Sequence, residues 1–380
     1  EDRPAYEQLE TWEKAYLDTY LKLGIDNSPQ VLYPFVTDET SQEGEVTMKN
    51  PTHRTALVTG ASSGLGLEAS AQFAEQGFER VVITARTEEK AKATLSELET
   101  RTGKKVFETL ILDNDRLATP EAAAAELANR GGQIDVLVLN AGIAPPKDLV
   151  RSEDGLEATV ASTLVGHHLL TMGLLEKDLL SANARIVISG SEAARGDVPT
   201  FKPLNVDEFA AEHFDGDLEA VIDAQMFMKA PVTYKASNTY ATAKVFVAWW
   251  AAELSRMLPD GMTVNAVSPG STPETNAVRN APFYMRRLMV PLFKLIPGMS
   301  HTVADGAGRY IEAASYDDEI TGKFFASKPG KMIGPLEEIE MDHIQSRAGQ
   351  GALWNKTVEV AGGVGFPTME SKPTEQELAS

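Results

Sequence analysis

From residue 54 onward the chain alternates between two textures. Short apolar and β-branched runs are Thr55–Val58, Val81–Thr84, Val106–Leu112, Val136–Leu139, Arg185–Ile188, Val264–Val267 and Lys323–Phe325. Between most of them lie Ala-, Leu- and Glu-rich stretches with apolar residues at helical spacing. A strand that is apolar throughout has to be covered on both faces, and a helix between consecutive strands makes their pairing parallel. The alternation therefore constrains the chain to an α/β fold, a doubly wound parallel sheet with helices on both faces. Ligand sites in such sheets lie at the carboxyl ends of the strands. Each motif is accordingly weighed by whether it follows a strand.

Residues 1–53 stand apart from this pattern. Tyr6, Leu9, Trp12, Tyr16 and Tyr20 recur at steps of three and four, which predicts one apolar helix face ending at Gly24. We read 1–53 as an N-terminal helical extension that packs on its own domain, exchanges with a second subunit or covers a cleft. Residues 54–370 form the main domain, with an insertion at about 195–236 and a lid at about 271–300.

The 35 basic and 55 acidic residues leave a net charge of −20, which repels nucleic acid phosphates and anionic lipid. With no cysteine, disulfides, thiol catalysis and thiolate metal sites are excluded. Apolar stretches such as Val245–Ala252 are far short of the about 20 residues of a spanning helix, so no stable membrane insertion is expected. The first residues are acidic and polar, unlike a signal peptide, and a cytoplasmic location is the expectation.

Thr59-Gly60-Ala61-Ser62-Ser63-Gly64-Leu65-Gly66 follows the first strand and opens a helix. Glycines let the backbone turn tightly against a pyrophosphate, and the helix N-terminus adds N–H donors and positive dipole. Gly60, Ser62, Ser63, Gly64, Leu65 and Gly66 are thus the candidate phosphate cradle of a dinucleotide. The second strand ends at Arg86, where an acid would accept the adenosine ribose hydroxyls and repel a 2′-phosphate. A guanidinium can instead bind that phosphate, so NADP(H) is favoured over NAD, with stacking on adenine or a solvent-facing Arg86 as the plainer reading. Asp113 and Asn114 follow the third strand, Asn140-Ala141-Gly142 the fourth, Ser189 and Ser191 the fifth, and Pro269-Gly270 with Thr272 the sixth.

Tyr240 and Lys244 lie four residues apart on one helix face. A phenol titrates at about 10, and a nearby cation lowers that value toward neutral pH. Tyr240 is therefore the candidate proton donor and acceptor, with Lys244 tuning it.

This ordered series resembles the short-chain dehydrogenase/reductase family over about residues 54–330. The resemblance is closest to its retinol-dehydrogenase-like branch. It is carried there by Gly166-His167-His168-Leu169-Leu170-Thr171, the long segment before Tyr240, Asn265-Ala266-Val267-Ser268-Pro269-Gly270 and Asp305-Gly306-Ala307. It implies a Rossmann-like fold. It also implies an adenine contact from Asp113, a sheet-stabilising Asn140, and a Gly142 that clears space beside the cofactor. Ser191, with Ser189 as fallback, orients the substrate, and Lys244 also holds the nicotinamide ribose. The implied reaction is hydride transfer between NADP(H) and the carbonyl or alcohol of an apolar small molecule.

One departure stands out. Thr163 occupies the position of an Asn that holds a proton-relay water, so either the relay is rearranged or turnover is slow. This leaves open a catalytically weakened NADP(H)-binding regulatory or scaffold protein, and an epimerase or dehydratase. His167 and His168 read as helix-packing residues, since no companion metal ligands are visible. The insertion carries Phe201, Phe209, Phe214 and Phe227; the lid carries Phe283–Leu295 with Arg286, Arg287 and Lys294. Both are expected to shape specificity, the lid alternatively docking on a membrane surface or a subunit. The family assembles through helices flanking the catalytic one, so a homo-oligomer is expected unless the arm or insertion blocks that contact.

Overall fold

A computed structural model describes residues 54–143, 146–272 and 300–367. All of them belong to the second of two units, Lys49–Ser380. The expected helix over Tyr6–Tyr20 and the lid from 273 to 299 lie outside the described residues.

Eight strands form one sheet in the order β3-β2-β1-β4-β5-β6-β7-β8. They are β1 Thr55–Val58, β2 Arg80–Ala85, β3 Phe107–Ile111, β4 Ile134–Leu139, β5 Leu180–Ser189, β6 Thr263–Val267, β7 Phe324–Ala326 and β8 Glu337–Glu338. The first seven are parallel, as their two-sided burial demands. β8 is the exception: it pairs antiparallel at the edge, where one side needs no second partner. Its two exposed glutamates gave no apolar run from which to predict it.

The helices are α1 Gly64–Glu75, α2 Glu88–Thr102, α3 Ala118–Arg130, α4 Ala158–Glu176, α5 Val206–His213, α6 Leu218–Met226, α7 Ala236–Ser255, α8 Val303–Ala313, α9 Asp342–Gln345 and α10 Arg347–Val360. The insertion thus contributes α5 and α6.

α4 corrects one expectation. Its 19 residues are long and apolar enough to cross a membrane, but 94% of the apolar window is buried within the fold. It is a core helix pressed between α3, the sheet and α7, and the buried His167 and His168 interrupt its apolar reading in sequence.

The catalytic-helix candidate α7 is buried along most of its length, including Trp249 and Trp250. α10 covers it on the outside and also packs on α6. Trp250 Nε1 donates to His168 Nδ1 at 3.1 Å, which places the imidazole proton on Nε2, and Nε2 donates to Val364 O at 2.7 Å. Trp249 Nε1 donates to His343 O at 2.7 Å. Gly349 lies flat on the Trp249 ring, and a Cβ there would sit 2.5 Å from Trp249 Cη2.

Gly349→Ala is therefore expected to lift α10 off α7 and lower unfolding stability by about 1–3 kcal/mol. Urea unfolding followed by tryptophan fluorescence measures it, and a loss below about 0.5 kcal/mol, the range of a neutral surface change, would contradict this packing.

Candidate functional site

The chain leaves β1 toward β2 on one side and later enters β4 on the other, so a crevice opens above the carboxyl ends of these two neighbours. The glycine loop fills its base. Gly60 takes φ +64°, a left-handed turn that glycine adopts without strain. Asn140 Nδ2 donates to Thr59 O at 2.9 Å, and Ala141 N donates to Thr59 Oγ1 at 2.9 Å. These bonds lace the end of β4 to the loop after β1. A Cβ on Gly66 would lie 2.6 Å from both Asn140 Nδ2 and Gly60 O, so only glycine fits that close approach. Ser63 starts α1 without a side-chain cap bond, which leaves first-turn N–H groups for a phosphate.

At the nucleotide end, Arg86 is half-exposed and reaches Asp115 at 3.7 Å. Asn114 is buried; its Nδ2 donates to Ser162 O at 3.1 Å. Asn114 Oδ1 and Asp115 Oδ1 are buried without a hydrogen-bond partner. Burial first, and then the charge of Asp113, pushes the Asp115 carboxyl upward, with Arg86 opposing. Two unsatisfied acceptors beside a guanidinium suit donors from an adenosine moiety, and the glycine cradle beside them suits its phosphates. The residues present thus fit a dinucleotide. Asp115 was not among the sequence candidates, because it belongs to no motif and acts only through the turn that brings it to Arg86.

Ser191, Tyr240 and Lys244 come together at the end of β5. α7 presents Tyr240 and Lys244 one turn apart, with the Lys244 ammonium 5.7 Å from the Tyr240 ring centre. Lys244 is buried, its Nζ donates to Ser189 O at 2.7 Å, and burial pulls its pKa down to about 8. The Tyr240 phenol is pushed above its ordinary value by burial; the hydrogen bond to Ser191 pulls it down and the Glu192 carboxylate raises it further. This corrects the expectation of a lowered phenol. The lysine charge is engaged by a backbone carbonyl, while dehydration and a neighbouring anion act on the ring. The structure also separates the two serines. Ser191 accompanies Tyr240 and accepts from Ala193 N at 3.2 Å, whereas Ser189 turns inward to Tyr310.

Thr163 sits in a π-helical turn, Ala161–Val165, at the heart of α4. Its hydroxyl donates back to Thr159 O at 2.6 Å and so offers no free donor to a water. Its carbonyl is bonded by His167 Nδ1 at 3.1 Å, and its methyl underlies Gly142, whose Cβ would lie 2.7 Å away. His167 Nε2 accepts from Thr59 Oγ1 at 2.9 Å, so this histidine fastens α4 to the phosphate loop. Among the described residues no cluster of His, Cys, Asp or Glu is placed to hold a metal ion.

Two features lay beyond sequence reasoning. Glu192, directly after Ser191, is buried and paired with buried Arg309 at 3.3 Å. Glu192 also accepts from the Ser268 and Ser327 hydroxyls, and Arg309 donates to Ser268 O at 2.9 Å. One ion pair therefore joins the loops after β5, β6 and β7. The second is Tyr310, fully buried beneath the site. An arginine on the buried face of a late helix was the available signal for the pair. Of the insertion's aromatics, Phe209, Phe214 and Phe227 pack toward the core, while the Phe201 ring lies 5.9 Å from that of Tyr240. Pro269, Gly270 and Thr272 line the loop after β6, where Gly270 N donates to Ser268 Oγ at 3.3 Å.

Residues 54–205 match the short chain dehydrogenase family. Human retinol dehydrogenase 13 is 26% identical over 325 residues, spanning 84% of this chain and 88% of its own. The WW domain-containing oxidoreductase of Drosophila melanogaster is 28% identical over 322 residues, 82% of this chain and 71% of its own. Among solved structures, an uncharacterized Mycobacterium paratuberculosis protein superposes with TM-score 0.59 at 20% identity, covering 83% of this chain and 95% of that one. A variant of the actinorhodin polyketide ketoreductase with NADPH gives 0.53 at 24% identity, covering 73% and 97%. These two structures share the fold.

The buried histidines make stability pH-dependent. Unfolded imidazoles take a proton at about 6.5, whereas burial holds His167 and His168 down at about 3 and 4. From pH 6.5 to 4 the unfolded chain binds more protons, so stability falls on acidification by about 1.4 kcal/mol per pH unit for each imidazole. Urea titrations at several pH values test this, with a shallower slope expected for His167→Gln and His168→Gln.

Proposed function

Because the chain belongs to the short-chain dehydrogenase/reductase family, in its retinol-dehydrogenase-like branch, we propose that it is an NADP(H)-dependent oxidoreductase. It reduces the carbonyl of an apolar small molecule or oxidises the matching alcohol. The observation that carries this reading is the meeting of Ser191, Tyr240 and Lys244 at the end of β5, beside the glycine cradle between β1 and β4.

NADPH, when bound, supplies the hydride, and NADP takes it in the reverse direction. The chain's own residues do the rest. The first turn of α1 and the loop Gly60–Gly66 bind the phosphates, Arg86 selects a 2′-phosphate, and Asn114, Asp113 and Asp115 receive adenosine donors. The NADPH named with the ketoreductase of similar fold agrees with this choice. Lys244 Nζ, 2.7 Å from Ser189 O, retains protons for the nicotinamide ribose hydroxyls. Ser191 holds the substrate oxygen. Tyr240 delivers the phenolic proton to that oxygen as the carbonyl becomes an alcohol, and the phenolate left behind recovers a proton from solvent. With its pKa raised from an ordinary value of about 10, the Tyr240 phenol is protonated at neutral pH and stands as the proton donor for reduction. Phe201 gives the carbonyl an apolar neighbour.

A second reading, an NADP(H)-binding protein with weakened turnover, draws on the tied Thr163 hydroxyl. The two readings part on one experiment. In ours, purified protein oxidises NADPH with small apolar ketones or aldehydes, and Tyr240→Phe cuts kcat by about 10²–10⁴-fold while retaining NADPH affinity. Tight NADPH binding with no turnover across a carbonyl panel supports the second. Arg86→Ala is expected to weaken NADPH by about tenfold or more, the worth of one charge-assisted hydrogen bond, and to leave NADH nearly unchanged. Equal losses for both nucleotides would count against the 2′-phosphate role.

A further inference from the structure

The Lys244 ammonium has one protein acceptor described in its pocket, the Ser189 carbonyl, so whatever fixes residue 189 fixes the lysine. The Ser189 side chain points away from the crevice and meets the Tyr310 hydroxyl at 2.8 Å. Tyr310 in turn donates to Asn140 Oδ1 at 3.4 Å. With the Tyr310 proton on Asn140, the Ser189 hydroxyl donates to Tyr310, and every oxygen along the line has a partner. Asn140 then continues the line through Nδ2 to Thr59 O at 2.9 Å. The hydrogen bonds run in one direction beneath the crevice, from the end of β5 through α8 to the ends of β4 and β1.

Tyr310 is fully buried, and its hydroxyl is too far inside to meet substrate. A buried phenol on a helix outside the motif loops has a plain reading, as a filler with a satisfied hydroxyl. Three observations argue for more. Its two partners are the residue that holds Lys244 and the residue that closes the glycine loop, and no backbone bond joins Ser189 to Asn140 directly. The neighbouring Arg309 on the same helix pairs with Glu192 next to Ser191. The start of α8 is tied to the helix of the phosphate loop, where Gln72 Nε2 donates to Ala304 O at 3.0 Å. α8 therefore carries, on consecutive residues, the side chains that set the two halves of the crevice against each other.

We infer that Tyr310 is a positioning residue for the proposed reaction: its hydroxyl, bridging Ser189 and Asn140, holds the Lys244 ammonium in register with the phosphate loop. The inference rests on the reading of Lys244 as the group that grips the nicotinamide ribose. It assigns Tyr310 no proton transfer and no contact with substrate. The β5–β6 ladder also holds the backbone of residue 189, so removing the hydroxyl leaves the ring and the strand in place but releases the Ser189 side chain, and the strand end that carries the Lys244 acceptor shifts relative to the cofactor.

Tyr310→Phe tests this with turnover and without it. In turnover, kcat with NADPH is expected to fall by about 10- to 100-fold, the consequence of a displacement of up to about 1 Å, while KM for the carbonyl substrate stays near the parent value. Ser189→Ala removes the same bond from the other side. The double variant is expected to lose no more than the worse single one, because all three break one linkage. Without turnover, lysine titration followed by NMR in the free protein is expected to find Lys244 at about 8 in the parent. In either single variant that titration moves by about half a unit or more, as the Ser189 carbonyl and the ammonium bonded to it shift within the pocket. Parent-like kcat with an unmoved Lys244 titration overturns the inference, as do additive losses in the double variant. If Tyr310→Phe does not fold, Ser189→Ala alone decides by the same readouts. If the parent turns over no carbonyl, the proposed function fails, and the Lys244 titration still decides whether Tyr310 positions it.

Discussion

β1 and β4 are hydrogen-bonded neighbours whose connections depart in opposite directions, and the site depends on that arrangement. A parallel sheet wound both ways has to leave a gap where the winding reverses, because the crossovers that cover the sheet elsewhere diverge there. The glycine loop lies in that gap, and Asn140 closes it from the β4 side. The phosphate cradle is thus a product of topology first and of residue chemistry second. Glycines at 60 and 66 are what allow the backbone to lie as close as the gap requires.

Around this base, buried polar groups organise the loops that carry the reacting side chains. The Glu192–Arg309 pair is costly to desolvate, and well-packed apolar residues often match such a pair in stability. Its distinctive contribution is geometric. Glu192 accepts from two serine hydroxyls on two separate loops, and a carboxylate with four lone-pair sites is one of the few side chains able to do so. The same anion raises the Tyr240 phenol. One buried charge thus holds the loops together and adds to the effect that burial has on the phenol.

What could be read in the sequence was local. The loop Thr59–Gly66, Asn140-Ala141-Gly142 and the Tyr240/Lys244 spacing each lie within a few residues of a strand end or along one helix face, and the structure brings them to one crevice. Ser191 and Ser189 needed coordinates, because their side chains point in opposite directions from one strand end. The direction of the Tyr240 shift was misjudged for a physical reason: spacing along a helix shows Lys244, but neither the burial of the phenol nor Glu192. Tyr310 and Arg309 escaped because the site residues they meet, Ser189 and Glu192, lie more than a hundred residues away in sequence. β8 escaped because an edge strand of two glutamates carries no apolar pattern.

The seal formed by α10 and Val364 bears on how the chain comes to fold. α7 is buried along most of its length, yet its outer cover is supplied by α10 at residues 347–360, about a hundred residues after α7 ends, with Val364 reaching His168 of α4 just beyond. On a ribosome, where domains form from the N-terminal side forward, the tryptophans of α7 would emerge long before their lid of backbone and helix exists. For that interval the nascent sheet presents an oily flank to water or to a chaperone. Synthesis of residues 347–360 is thus the step that lays a cover over the tryptophan face of α7.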